Sequence, residues 1–194
     1  DISSISFNTN YINISVDIRL DDIINDHDVV FDLENGGPRY TLNVFPDKYD
    51  MRFSEFGFDT VYLQYYPENM SDSDWHNISI QGTPEDVSMF YDGELVASEF
   101  WNGTLFSLAS YNGGTVYANY LGAEGPSTNY YMYGGYIDNF TISNQIDTIV
   151  DYKFNAGSGN ILYDYTGNGN HGTINGAIWV ETIFGCTDFA AVNY

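Results

Sequence analysis

Hydrophobic and polar residues alternate along most of this chain. Between Tyr11 and Leu20, Ile12, Ile14, Val16, Ile18 and Leu20 fall on one side, and Tyr11, Asn13, Ser15, Asp17 and Arg19 on the other. Successive side chains of a strand point to opposite faces, so this spacing predicts a half-buried strand of an antiparallel sheet. Similar runs occur at 29–33, 39–45, 60–66, 75–81, 87–91, 94–98, 114–121, 135–143, 149–154 and 172–180. Turn-forming residues punctuate them: Gly36-Gly37-Pro38, Pro46-Asp47, Asp92-Gly93, Asn112-Gly113-Gly114 and Gly134-Gly135. Asp92-Gly93 joins two runs directly and reads as a two-residue hairpin turn with positive φ at both central positions. No segment keeps helical spacing over the length a helix needs. About ten short strands separated by turns predict an all-β, two-sheet antiparallel sandwich of jelly-roll type.

The charge balance narrows the function. The chain has 27 acidic and 5 basic residues, a formal net charge of -22. Arg19, Arg39, Lys48, Arg52 and Lys153 are too scattered in sequence to form a basic patch for nucleic acid or an anionic membrane. With 43% hydrophobic and 18% aromatic residues, the chain has the means to build a core despite its charge. No apolar run approaches the length that spans a membrane. Cys186 is the single cysteine, so no intrachain disulfide forms. Few lysines with many Asn, Asp, Gly and Tyr fit a secreted or surface protein in saline, calcium-containing water. The absence of an initiator Met and of a leader suggests a mature or excised chain.

Three stretches resemble the laminin-G-like, concanavalin-A-like jelly-roll domains. The first is Trp75-His76-Asn77-Ile78-Ser79-Ile80 with Met89-Phe90-Tyr91-Asp92-Gly93-Glu94-Leu95-Val96, similar to a hairpin of that family. The second is Gly135-Tyr136-Ile137-Asp138-Asn139-Phe140-Thr141-Ile142, similar to its "G-x-I-D-D-v-r-I" strand. The third runs from Tyr152-Lys153-Phe154-Asn155 to Asp164-Tyr165-Thr166-Gly167-Asn168-Gly169-Asn170-His171-Gly172-Thr173. In the family this last segment usually opens the domain, whereas here it closes the chain. The sandwich is thus expected to be circularly permuted, its tail returning beside the strand at 135–143, or else completed by strand exchange with a neighbour. Self-completion is favoured, because the intramolecular route has the larger effective concentration. The end, Gly185-Cys186-Thr187-Asp188-Phe189-Ala190-Ala191-Val192-Asn193-Tyr194, resembles the start of a "GCTDxxAxNY" cysteine-containing repeat of secreted proteins. The expected division is a sandwich over 1–180, with 150–180 as the displaced segment, followed by a linker and truncated repeat over 181–194.

The resemblance also implies a structural calcium ion at the Gly-rich loop. Its ligands would be Asp138 and Asp164 by carboxylate, Asn168 and Asn170 by amide or carbonyl oxygen, and Asn155 as a weaker fifth. Hard cations take six to eight oxygens, and glycines let carbonyls turn inward. The competing reading is a turn-rich loop whose Asp and Asn cap their own backbone. His171 is expected to pack, since imidazole suits softer metals. Asp21-Asp22, Asp26-His27-Asp28 and Ser71-Asp72-Ser73-Asp74 read as solvated loops.

Aromatic residues crowd the second half. Alternation turns Tyr62 to the face opposite Val61 and Leu63. Flat rings stack on pyranose faces while Asn and Asp bind hydroxyls, and Tyr is also simply favoured in sheets. Trp101, Tyr111, Tyr130, Tyr131 and Tyr133 lie in loop-like sequence and are the candidates for ligand contact. Catalysis has little support: Glu55 with Asp59, and Glu85 with Asp86, sit in turn-like sequence, and His27, His76 and His171 lack metal-ligand spacing. The expectation is an extracellular, calcium-stabilised binding or adhesion module, glycan-directed and non-enzymatic, within a larger protein. The alternatives are a subunit of an extracellular assembly joined by its C-terminal strand, and a glycoside hydrolase of the same fold.

Overall fold

The structure, a computed structural model, describes residues 1–2, 5–20, 27–34, 39–54, 60–70, 72–101, 106–107, 119–123 and 133–180. Among them are fifteen strands and no helix: β1 Asn8–Thr9, β2 Ile12–Arg19, β3 Asp28–Glu34, β4 Arg39–Phe45, β5 Lys48–Ser54, β6 Val61–Tyr65, β7 Trp75–Gly82, β8 Asp86–Tyr91, β9 Glu94–Phe100, β10 Phe106–Ser107, β11 Tyr120–Leu121, β12 Tyr136–Ser143, β13 Thr148–Tyr152, β14 Ile161–Leu162 and β15 Gly172–Thr173. Two large antiparallel sheets carry the fold, in the orders β13-β12-β2-β7-β8-β9 and β11-β3-β4-β5-β6. This is the all-β, jelly-roll sandwich the alternation predicts.

The core lies between the inner faces. Ile12, Ile14, Val16 and Ile18 of β2, Ile78 and Ile80 of β7, and Phe140 and Ile142 of β12 meet Phe31, Leu33, Tyr40, Leu42, Tyr49, Met51 and Phe53 from the other sheet, all nearly inaccessible. Phe31 meets Phe140 edge to face across the gap, with centroids 5.9 Å apart. Each such side chain contributes about 1.5–3 kcal/mol by leaving water. The β8–β9 hairpin turns on Asp92 (φ 50°) and Gly93 (φ 83°), the positive pair its sequence demands.

The tail completes its own sandwich. β13 pairs with β12, setting Tyr152 opposite Phe140 and Val150 opposite Ile142, and Tyr152 is fully buried. Farther on, Thr173 exchanges backbone hydrogen bonds with Asp1 at 2.8 and 2.7 Å, so the displaced segment closes against the chain start.

Three differences from the sequence reading stand out. The strand β5 was not expected, because Lys48, Asp50 and Arg52 give it a polar look; yet Tyr49, Met51 and Phe53 alternate with them into the core. The run 172–180 forms a strand only at Gly172–Thr173. Beyond it, Gly176 takes a φ of 82° and the Trp179 indole N–H donates to the Gly159 carbonyl, which holds the segment as an irregular coil. Of the run 114–121, residues 119–121 lie within the described residues, and Tyr120–Leu121 form an edge strand on β3.

Candidate functional site

The outer face of the five-stranded sheet is polar, and four of its polar side chains are removed from solvent. In register across it stand Tyr120, Asp32, Thr41, Arg52 and Tyr62, and beside that row Asn43, Asp50 and Gln64. Asp32 is 4% exposed, Thr41 5%, Asn43 3% and Asp50 2%. A polar group out of water needs a partner, and these have them. Arg39 donates to Asp32 through Nε and Nη2 at 2.8 and 2.9 Å, a bidentate pair, and Thr41 Oγ1 adds a bond to Asp32 Oδ1. Asp50 accepts from Arg52 Nε at 3.2 Å and from Gln64 Nε2 at 2.6 Å, with Lys48 Nζ 3.6 Å away. Asn43 donates to the Asp50 carbonyl. Burial, with the Asp32 charge beside it, raises the Tyr120 hydroxyl above its ordinary pKa.

Above these pairs lies a cleft of about 150 Å³. His27, Arg39, Thr41, Asn43, Arg52 and Tyr62 are among its walls. Tyr62 projects from β6 with 49% of its surface exposed, and the Arg52 guanidinium sits 5.5 Å from its ring centroid. Tyr66, 57% exposed, continues the aromatic rim and donates to Gln64. The result is a fixed array of hydrogen-bond donors and acceptors beside an exposed ring, which suits a polyhydroxylated ligand with an apolar face. Of the residues expected from sequence to touch a ligand, Trp101 and Tyr133 lie within the described residues, and neither lines it. A signal was present: Arg39, Lys48 and Arg52, three of the five basic residues, fall within fourteen positions, Arg39 and Arg52 each between apolar neighbours.

Of the expected aromatic site, Trp101 and Tyr133 are described, and both turn toward the core. Trp101 is 3% exposed and belongs to the core, stacked on Phe106 at 5.5 Å and packed on Phe53. Its loop-like sequence hid an inward ring, so it is corrected from ligand contact to core. Tyr133 is half-buried against the core and donates its hydroxyl to the Arg19 carbonyl. Tyr111, Tyr130 and Tyr131 lie outside the described residues, as do Glu55, Asp59 and Cys186. Glu85 and Asp86 stand at the turn into β8, where Asp86 accepts from the Thr83 hydroxyl.

The Gly-rich loop is built around Asp164. Its carboxylate accepts from the amides of Asp151, Thr166 and Asn170 and from the Thr166 hydroxyl. Burial pushes its pKa up, but these hydrogen bonds outweigh that and hold it below the ordinary carboxylate value. Gly167 and Gly169, at φ of 86° and 77°, let the backbone turn back to reach it. The Asn168 and Asn170 amides donate to carbonyls of β13, and Asn155 accepts from the Tyr165 hydroxyl. His171 Nδ1 accepts from the Asp164 amide, a packing role. Asp138 stands apart: it pairs with Asp17 across the outer face of the six-stranded sheet, with β13 between it and Asp164. Burial and the Asp17 charge raise its pKa. Among the described residues no three His, Cys, Asp or Glu side chains form a group that could hold a metal ion.

No protein-family model and no curated protein sequence matches the chain. Solved structures with the same fold do. A protein from Bacteroides ovatus assigned as carbohydrate-binding superposes with a TM-score of 0.63 at 13% identity, covering 89% of this chain and 56% of that one. Domains LG4-5 of the mouse laminin alpha1 chain give 0.54 at 15% identity, covering 73% of this chain and 37% of that one. The CBM40 module of a Ruminococcus gnavus sialidase, bound to α2,3-sialyllactose, gives 0.52 at 15% identity, covering 66% and 72%. The chain thus shares the jelly-roll sandwich of laminin G domains and carbohydrate-binding modules, and spans only 37% and 56% of the laminin and Bacteroides chains.

Proposed function

We propose that this chain is a carbohydrate-binding module of a secreted or cell-surface protein, and that the cleft on the outer face of the five-stranded sheet holds the saccharide. One observation carries the reading. Asp32, Asp50, Thr41 and Asn43 are buried on a sheet face, Asp32 accepting from Arg39 and Thr41 and Asp50 from Arg52, Gln64 and Asn43, and a cleft with the exposed Tyr62 at its wall opens over them. Groups held this firmly need little reordering when a ligand docks, which lowers the entropic cost of binding. The fold shared with carbohydrate-binding modules supports it. The same reading makes the chain a binding module and not an enzyme: Glu85 with Asp86, at the start of β8, is not part of the cleft lining, and Glu55 with Asp59 lies outside the described residues. The Gly-rich loop serves as a clasp that fixes the displaced segment to β13, its oxygens already engaged by amides and hydroxyls.

A glycan array probed with the labelled module tests the function, followed by titration of each hit against the wild type and Tyr62→Ala. Binding by the wild type and its loss by at least tenfold in the variant, with an unchanged melting temperature, is the expected result. Silence across a broad array of neutral and acidic glycans would remove the proposal.

A further inference from the structure

All five Lys and Arg side chains of the chain lie within the described residues. The inventory of fixed positive charge is therefore complete. Lys153 pairs with Asp151 at 2.9 Å, and Arg19 lies over Tyr136, 4.0 Å from its ring centroid, on the six-stranded sheet. The other three are gathered at the cleft face, and each has a carboxylate at hand: Arg39 with Asp32 at 2.8 Å and Glu34 at 3.5 Å, Arg52 with Asp50 at 3.2 Å, Lys48 with Asp50 at 3.6 Å. Three cations face three carboxylates, so the sheet face carries no excess positive charge. Every segment outside the described residues holds neither Lys nor Arg, so whatever borders the cleft from there adds acid or nothing.

Resting on the carbohydrate-binding reading, we infer that the cleft selects neutral saccharides and rejects those bearing carboxylate or sulfate. A hydroxyl both donates and accepts, so a vicinal pair matches a guanidinium and carboxylate fixed side by side. A sugar carboxylate only accepts. At this face it would compete with Asp32 and Asp50 for guanidinium groups they already hold, and leaving one of those buried carboxylates unpaired is costly. The field of a chain with net charge -22 adds long-range repulsion. Here the chain parts from the Ruminococcus gnavus module, whose bound ligand is sialylated.

The test uses matched pairs. Each neutral oligosaccharide that binds is titrated beside a counterpart carrying a uronate or sialic acid, starting with lactose and α2,3-sialyllactose, in EDTA, at about 20 and about 500 mM NaCl. The neutral member should bind at least tenfold more tightly at low salt, with an affinity that hardly changes with salt. A second variant sharpens it. Glu34→Gln removes one compensating charge beside Arg39 from a partly exposed position, and should narrow the preference for the neutral member at least threefold. Tighter binding of the acidic member, weakened by salt, would overturn the inference and leave the carbohydrate-binding reading standing. Failure of every glycan to bind would overturn both.

Discussion

The two outer faces of this sandwich begin from the same alternation and end differently. On the six-stranded sheet many outward residues are short and half-exposed, Asn13, Ser15 and Asp17 on β2 and Asn77 and Ser79 on β7, with Arg19 and the exposed Trp75 at one end. They bond mostly to one another, as when Asn77 donates to Asp17 and Ser15. On the five-stranded sheet the outward residues include long charged ones, and four of the polar positions are buried. The first face meets water, which satisfies whatever the side chains leave over. The second must satisfy itself, and it does so with paired charges. A strand pattern reports which residues share a face; it does not report whether that face is wet. The face with the buried, paired carboxylates is the one with the cleft.

Substitutions separate the faces most sharply. Asp50→Ala should cost about 3 kcal/mol, because it strands Gln64 and Lys48 beside a buried site and removes the partner of Arg52. Asp17→Ala, whose partners Asn77 and Asn139 are neutral and half-exposed or exposed, should cost about 1 kcal/mol. Urea unfolding of the two variants reads the difference; equal losses would erase the distinction between the faces.

The Gly-rich loop gives a pH counterpart. Asp164 titrates below its unfolded value, so its contribution is present above about pH 4 and is lost as pH falls through its depressed folded pKa. Asp164→Asn should flatten that acid limb of melting temperature against pH and lower stability at neutral pH by about 2 kcal/mol. Melting with millimolar calcium and with EDTA should coincide, since the carboxylate is engaged within the loop. A calcium-dependent rise of several degrees would show that the resemblance was the better guide there.

The smallest effect lies in the hairpin. Burial disfavours a charged His76, but hydrogen bonds to Asp92 and Asp72, and their charges, raise its pKa above 6.5. Its contribution is full below about pH 6.5 and fades as pH rises through the folded value. His76→Gln should remove a pH dependence of about 0.5 kcal/mol in that window, with screening by solvent holding it small.

Much of the fold was legible because apolar periodicity and turn chemistry are local. Ile12 to Leu20 announce β2, and Asp92-Gly93 announces its hairpin. The return of the tail was legible from the third family-like stretch, and Tyr152 opposite Phe140 agrees with it. What was not legible depended on tertiary placement. Trp101 looked like a loop residue, and its burial arises from Phe53 and Phe106, distant or outside its strand. Asp138 and Asp164 both sit in family-like stretches, and only pairing shows β13 between them. The cleft was missed because β5 was missed. No strand was expected over Lys48, Asp50 and Arg52, whose meaning comes from one another and from Gln64 on the neighbouring β6.

The central claim is that saccharide binds on the five-stranded sheet. Backbone amide shifts followed by NMR, while a neutral oligosaccharide that binds on the array is titrated in, test it most directly. The account predicts that the shifts concentrate in β4, β5 and β6, around Thr41, Arg52 and Tyr62, and leave β2, β7 and β12 unmoved. Shifts centred on Asp17, Asn77 and Asp138 of the opposite sheet, or on the loop around Asp164, would contradict it.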